Sequence, residues 1–105
     1  MATYRSDAWT ALGDPTRKAI FELLADRPRP VGELAGELPV SRPAVSQHLR
    51  VLKDAGLVID QAAGTRRNYR LNPDGVAMLR DYLDRFWRRS LHTFAAIAEE
   101  SFRER

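Results

Sequence analysis

No cysteine occurs anywhere in the 105-residue sequence. Disulfides, thiolate metal sites and thiol-based redox sensing are thereby excluded, and nothing points to an oxidising compartment. Long hydrophobic runs are missing too. No stretch approaches the roughly 18 apolar residues that span a membrane. Met1 to Trp9 hold Arg5 and Asp7 without the apolar run of a signal peptide, so the expected location is cytoplasmic. Internal repeats and low-complexity tracts are also lacking. Proline and glycine, six of each, are left to punctuate the chain.

What is present fits one soluble globular domain over residues 1–105. A chain this short buries a limited share of its surface, a limit that pairing with a second copy relieves. Net charge is +3, and its placement says more than its total. Residues 1–40 carry a balance of −1 and residues 71–105 balance to zero. Residues 41–70 hold Arg42, Arg50, Lys53, Arg66, Arg67 and Arg70 against Asp54 and Asp60. A basic middle third fits a solvated face or a polyanion-binding surface.

Asp14-Pro15 reads as a helix start, because Asp caps free N–H groups and Pro suits the first helical position. Ala19, Ile20, Leu23 and Leu24 follow at helical spacing, and Asp26-Arg27-Pro28-Arg29-Pro30 stops the run. Upstream, residues 6–12 read as a short helix ended by Gly13, with Trp9 and Leu12 on one face. Residues 31–38 form another short helix, ended by Pro39. Ser41 or Arg42 caps the next, which runs to about Ala55 and stops at Gly56. Leu57-Val58-Ile59 and Arg67 to Leu71 read as two strands around the turn Ala63-Gly64-Thr65. Asn72-Pro73-Asp74 opens a last helix over residues 73–102, carrying Val76, Leu79, Leu83, Phe86, Trp87, Leu91, Phe94, Ala98 and Phe102 on one broad stripe.

The expected fold is therefore mainly α with a small β-hairpin. A helix-turn-helix over 31–55, a hairpin wing over 57–71 and a long final helix give the layout of a winged helix-turn-helix. The second helix of the motif separates two faces. Val45, His48, Leu49 and Leu52 form a core stripe, with His48 read as buried and hydrogen-bonded. Arg42, Pro43, Ser46, Gln47 and Arg50 form a polar face. Arg can chelate guanine, Gln adenine, and Ser either base edge or phosphate. Arg42, Ser46 and Gln47 are the expected base contacts, and Arg50 and Lys53 the phosphate contacts. Thr65, Arg66 and Arg67 at the hairpin tip suit the flanking backbone or minor groove, although a solubilising tip has the same composition.

Residues 11–71 resemble the ArsR family of bacterial winged-helix repressors. The resemblance runs in order through Ala11-Leu12-Gly13-Asp14-Pro15-Thr16-Arg17, Val31-Gly32-Glu33-Leu34-Ala35, residues 41–52 from Ser41 to Leu52, Ala55-Gly56-Leu57-Val58 and residues 64–71. Pro39 departs from the pattern, where a glycine is more usual. The tail around Phe86-Trp87 resembles the branch without metal-binding cysteines. The resemblance implies a homodimer built from N- and C-terminal helices, bound to a near-palindromic double-stranded operator. Independently, Phe86, Trp87 and Phe94 exceed what one small domain readily covers, so Trp9, Leu12, Leu83, Phe86, Trp87, Leu91 and Phe94 are the expected dimer interface. The stripe also fits plain core.

No metal or cofactor is expected. Val31-Gly32-Glu33 lacks a thiol, Asp84 and His92 from two subunits are a thin donor set, and Asp81 and Asp84 pair readily with Arg85 and Arg88 at i,i+4. Enzymatic activity is not expected either. Ser46 and His48 lie two apart on a helix and diverge, with no third orienting group. Beside the DNA-binding repressor stand a protein-interaction module, which an apolar face over 42–50 would have favoured, and a ligand-responsive repressor with a pocket among the dimer aromatics. No residue set names a small-molecule effector.

Overall fold

The computed structural model describes residues 8–104. Residues 8–11 are helical, and Ala8 and Ala11 are buried. Helix α1 follows over Pro15–Asp26. Asp14 caps it as expected: its Oδ1 accepts from the Thr16 and Arg17 amides at 2.8 and 3.0 Å. Ile20 and Leu24 are its buried residues.

The Pro28–Pro30 segment does more than stop the helix. Arg29–Pro30 form β1, a two-residue edge strand. It pairs antiparallel with β3 (Arg66–Leu71) through Arg29↔Tyr69 and Pro30↔Asn68. The expected hairpin is thus part of a three-stranded sheet of order β1-β3-β2, where β2 is Val58–Ala63. A proline is tolerated there because an edge strand leaves one side of its backbone unpaired.

Helix α2 covers Val31–Glu37 and buries Leu34. Leu38 is extended, so Pro39 falls in the turn without breaking a helix. Helix α3 covers Arg42–Asp54 and is capped by Ser41, whose Oγ accepts from the Ala44 amide. Val45, Leu49 and Leu52 are buried, while His48 is half-buried at the edge of the stripe. The helix ends in a Schellman motif. Gly56 takes φ +80°, its amide donates to the Lys53 carbonyl, and the Leu57 amide donates to the Leu52 carbonyl. Strand β2 reaches past the expected Ile59 because Asp60 to Ala63 pair with Tyr69 to Arg66. Ala63↔Arg66 leaves a two-residue loop, Gly64-Thr65, with glycine at φ +65° in the position a II′ turn reserves for it.

Helix α4 runs unbroken over Pro73–Arg103, about 46 Å at 1.5 Å per residue. Its first turn is locked to the end of α3. The Asn72 amide donates to the Leu57 carbonyl at 2.8 Å and its Nδ2 to the Gly56 carbonyl at 2.9 Å. Only Gly75 and Leu79 of α4 are buried. Beyond them the helix projects, giving a molecule 68 Å long and 22 Å across its thinnest axis. Leu83, Phe86, Trp87, Leu91, Phe94, Ile97 and Phe102 are all exposed on it. Trp9 meets Tyr82 with ring centroids 5.8 Å apart.

Candidate nucleic-acid interface

The amphipathic pattern of α3 fixes which residues face outward. With its apolar side anchored by Val45, Leu49 and Leu52, the residues Arg42, Pro43, Ser46, Gln47, Arg50 and Lys53 are all exposed. At 100° per residue, Arg42, Ser46, Arg50 and Lys53 share about 80° of arc, with Pro43 and Gln47 further round. Thr65, Arg66 and Arg67 are exposed on the wing. The wing and the start of α3 share one cleft of about 540 Å³, lined by Val31, Gly32, Arg42, Arg66, Arg67 and Tyr69 among others. Three guanidinium groups from two separate elements therefore border one open space, an arrangement suited to a polyanion.

Three ion-pair systems hold this surface in place. At the inner side of α3, Arg17 links α1 to the helix: its Nε donates to the Ala11 carbonyl at 2.8 Å, and its Nη1 lies 3.5 Å from His48 Nδ1. Asp14 stands 3.9 Å from the same guanidinium. The backbone N–H of Arg17, then that of Thr16 and the Arg17 charge, hold the Asp14 carboxyl below the usual carboxylate range, against the opposing pull of desolvation. Under α2, Arg29 is 5% exposed and pairs with Glu33 and Glu37, while Arg27 also reaches Glu33. These contacts bind the edge strand to the first helix of the motif.

The third system joins α3 to the wing. Asp60 receives Lys53 Nζ on Oδ1 at 2.8 Å and Arg67 Nη1 on Oδ2 at 2.6 Å. The Lys53 hydrogen bond and charge, followed by those of Arg67, hold the Asp60 carboxyl below its ordinary value despite desolvation. Two of the cations expected at phosphates thus share one anion of the chain itself. Asp60 was counted in the sequence only as negative charge, yet its position was readable: Val58, Asp60 and Ala62 alternate onto one face of β2. Tyr69 and Gly32, which line the cleft, carried no such signal, and Arg29 was read only as part of a breaker.

Among the described residues, no group of three His, Cys, Asp or Glu side chains gathers in a metal-binding arrangement. No helix there is long and apolar enough to cross a membrane.

Residues 14–60, from the cap of α1 through α3 into β2, match the model of the arsR family of bacterial regulatory proteins. The chain is 61% identical over 101 residues to the HTH-type transcriptional regulator Rv2034 of Mycobacterium tuberculosis, with 94% of each chain covered. It belongs to the arsR family. It is a transcriptional regulator on a winged helix-turn-helix fold. A second relative is the arsenical resistance operon repressor of Escherichia coli, 33% identical over 94 residues, covering 89% of this chain and 80% of that one. Among solved structures, the homodimeric winged helix-turn-helix DNA-binding domain Mb0332 of Mycobacterium bovis superposes with a TM-score of 0.69 at 30% identity, covering 79% of this chain and 77% of that one. The absence of cysteine fits the branch of the arsR family whose members lack the thiolate metal site.

Proposed function

We propose that this arsR-family protein is a homodimeric repressor that binds a near-palindromic operator in double-stranded DNA in the cytoplasm. One observation carries the reading. The exposed arc of α3 is polar and basic, and it shares a cleft with the arginines of the wing. An interface for another protein would centre on apolar and aromatic groups instead. In this reading Arg42, Ser46 and Gln47 meet base edges in the major groove, with Pro43 beside them. Arg50 and Lys53 meet phosphates, and Thr65, Arg66 and Arg67 reach the flanking backbone or minor groove. Similarity to the E. coli repressor supports repression, and similarity to the homodimeric DNA-binding domain of M. bovis supports both DNA binding and the homodimer.

The exposed stripe on α4 supports the same assembly. Leu83, Phe86, Trp87, Leu91 and Phe94, with Trp9 beside Tyr82, supply the surface for a second copy, and Leu12, half-buried against the chain's own core, lends only its exposed edge. A two-fold pairing through them sets two α3 helices about one turn of DNA apart.

The test is fluorescence anisotropy with DNA from the protein's own promoter and with a scrambled duplex, at two salt concentrations. The promoter is expected to bind about a thousandfold tighter. Gln47→Ala erodes that preference, whereas Arg66→Ala weakens both duplexes. No binding of either duplex at low salt overturns the reading and leaves a protein-interaction module in its place.

A further inference from the structure

We propose that Asp60 is an internal counter-anion that weakens the hold of Lys53 and Arg67 on DNA phosphates and so sets the salt-dependent strength of binding to any duplex. The inference rests on the DNA-binding reading above. Three observations carry it. First, each carboxylate oxygen of Asp60 holds one cation, at 2.8 Å for Lys53 and 2.6 Å for Arg67. Second, the carboxylate lies beneath its partners. The Asp60 side chain is 11% exposed, against 51% for Lys53 and 62% for Arg67, so the two cations rather than water cover most of it. Third, the two cations come from different elements, the last turn of α3 and the wing strand β3. One anion therefore sets both their charge and their separation.

Affinity for DNA of any sequence comes from cations that replace condensed counterions, with a salt slope of about −0.9 per phosphate neutralised. Lys53, Arg67 and Asp60 together present a charge of +1 to a phosphate rather than +2. A phosphate that recruits either cation must compete with a half-buried carboxylate already bonded to it. That competition weakens binding to every duplex. The base contacts of α3 are untouched by it, so operator and random DNA lose about equally. The loss falls on the sequence-independent part of binding.

Asp60→Asn keeps the shape of the side chain and one acceptor while removing the charge. On a scrambled duplex its log K against log salt is expected to steepen by about one to two. Each added phosphate contact is worth roughly eightfold between 1 M and 0.1 M salt. Operator binding gains by a similar factor, because the base contacts are unchanged. A second comparison leaves Asp60 intact and touches only exposed side chains, so it holds even if Asp60→Asn fails to fold. In the wild-type background Lys53→Met is expected to change the slope by less than half as much as Arg66→Met. Equal slope changes from those two, or an Asp60→Asn protein with wild-type fold and an unchanged slope, would overturn the proposal while leaving DNA binding standing. Absence of binding by wild-type protein to both duplexes at low salt overturns the DNA-binding reading and this inference together.

Discussion

Replacing Gly75 by alanine is expected to separate the long helix from the motif it carries. Gly75 is buried in the first turn of α4, backed against the residues that end α3. A Cβ there would lie 2.0 Å from the Gly56 carbonyl oxygen, 2.9 Å from its carbon and 3.3 Å from the Leu57 Cα. These are backbone atoms of a Schellman turn and cannot rotate aside, so the two segments must part by more than an ångström. Parting strains the Asn72 hydrogen bonds to the Gly56 and Leu57 carbonyls. Overpacking a tight site costs about 1–3 kcal/mol, and each weakened hydrogen bond adds about 1 kcal/mol. The helical preference of alanine over glycine returns less than about 1 kcal/mol. The net loss is about 2–4 kcal/mol, which in a chain of this size lowers Tm by roughly 10–30 °C. The assay is urea and thermal unfolding at one fixed protomer concentration, because dimerisation makes Tm depend on concentration. Gly36→Ala is the control. Gly36 sits in α2 with nothing within 4 Å of the added carbon, and there alanine is expected to stabilise by about 0.5 kcal/mol. A Gly75→Ala protein within about 0.5 kcal/mol of wild type would refute the reasoning, since strain of that size is far below what the contact demands.

Two further outcomes are expected. Phe94→Asp, whose parent side chain is 66% exposed on α4, should convert the dimer to a monomer by light scattering and abolish the dependence of Tm on concentration. A variant that stays dimeric would put the interface elsewhere. The acid limb of stability should trace to Asp14 and Asp60, whose carboxyls are both held low in the folded chain. As pH falls, the unfolded chain binds protons first, so the stability these groups supply is full above about pH 5 and is lost as pH drops through 4 and below. Asp14→Asn, which keeps a capping oxygen, combined with Asp60→Asn should flatten urea-derived stability between pH 5 and 3. An undiminished acid loss in that double variant would assign the effect to other carboxylates.

What the sequence made legible was local. Asp14-Pro15, Ser41 ahead of Pro43, and Asn72-Pro73 mark helix starts because each cap bonds an amide two or three residues away. Gly56 marks a helix end for the same reason: its positive φ is a property of one residue. The edge strand was not legible. Arg29–Pro30 has no strand pattern of its own and becomes one only by pairing with Asn68 and Tyr69, nearly forty positions away. His48, placed in the core stripe by spacing, stops at the edge of it because Arg17 from α1 occupies that side.

Charge shows the same divide and bears directly on function. The basic excess lies in residues 41–70, and the structure sets three of its five arginines, Arg42, Arg66 and Arg67, around one cleft. Counting cations along a chain nevertheless treats each as free. Lys53 and Arg67 are held by an aspartate that adjoins neither in sequence and reaches both through the packing of α3 on the wing. The field that DNA would meet is therefore weaker at the Lys53–Arg67 edge of the surface than at Arg42 and Arg66. Phosphate contacts are thus expected to be unequal. Those nearest the start of α3 and the wing tip carry most of the salt dependence, and those beside Asp60 carry less.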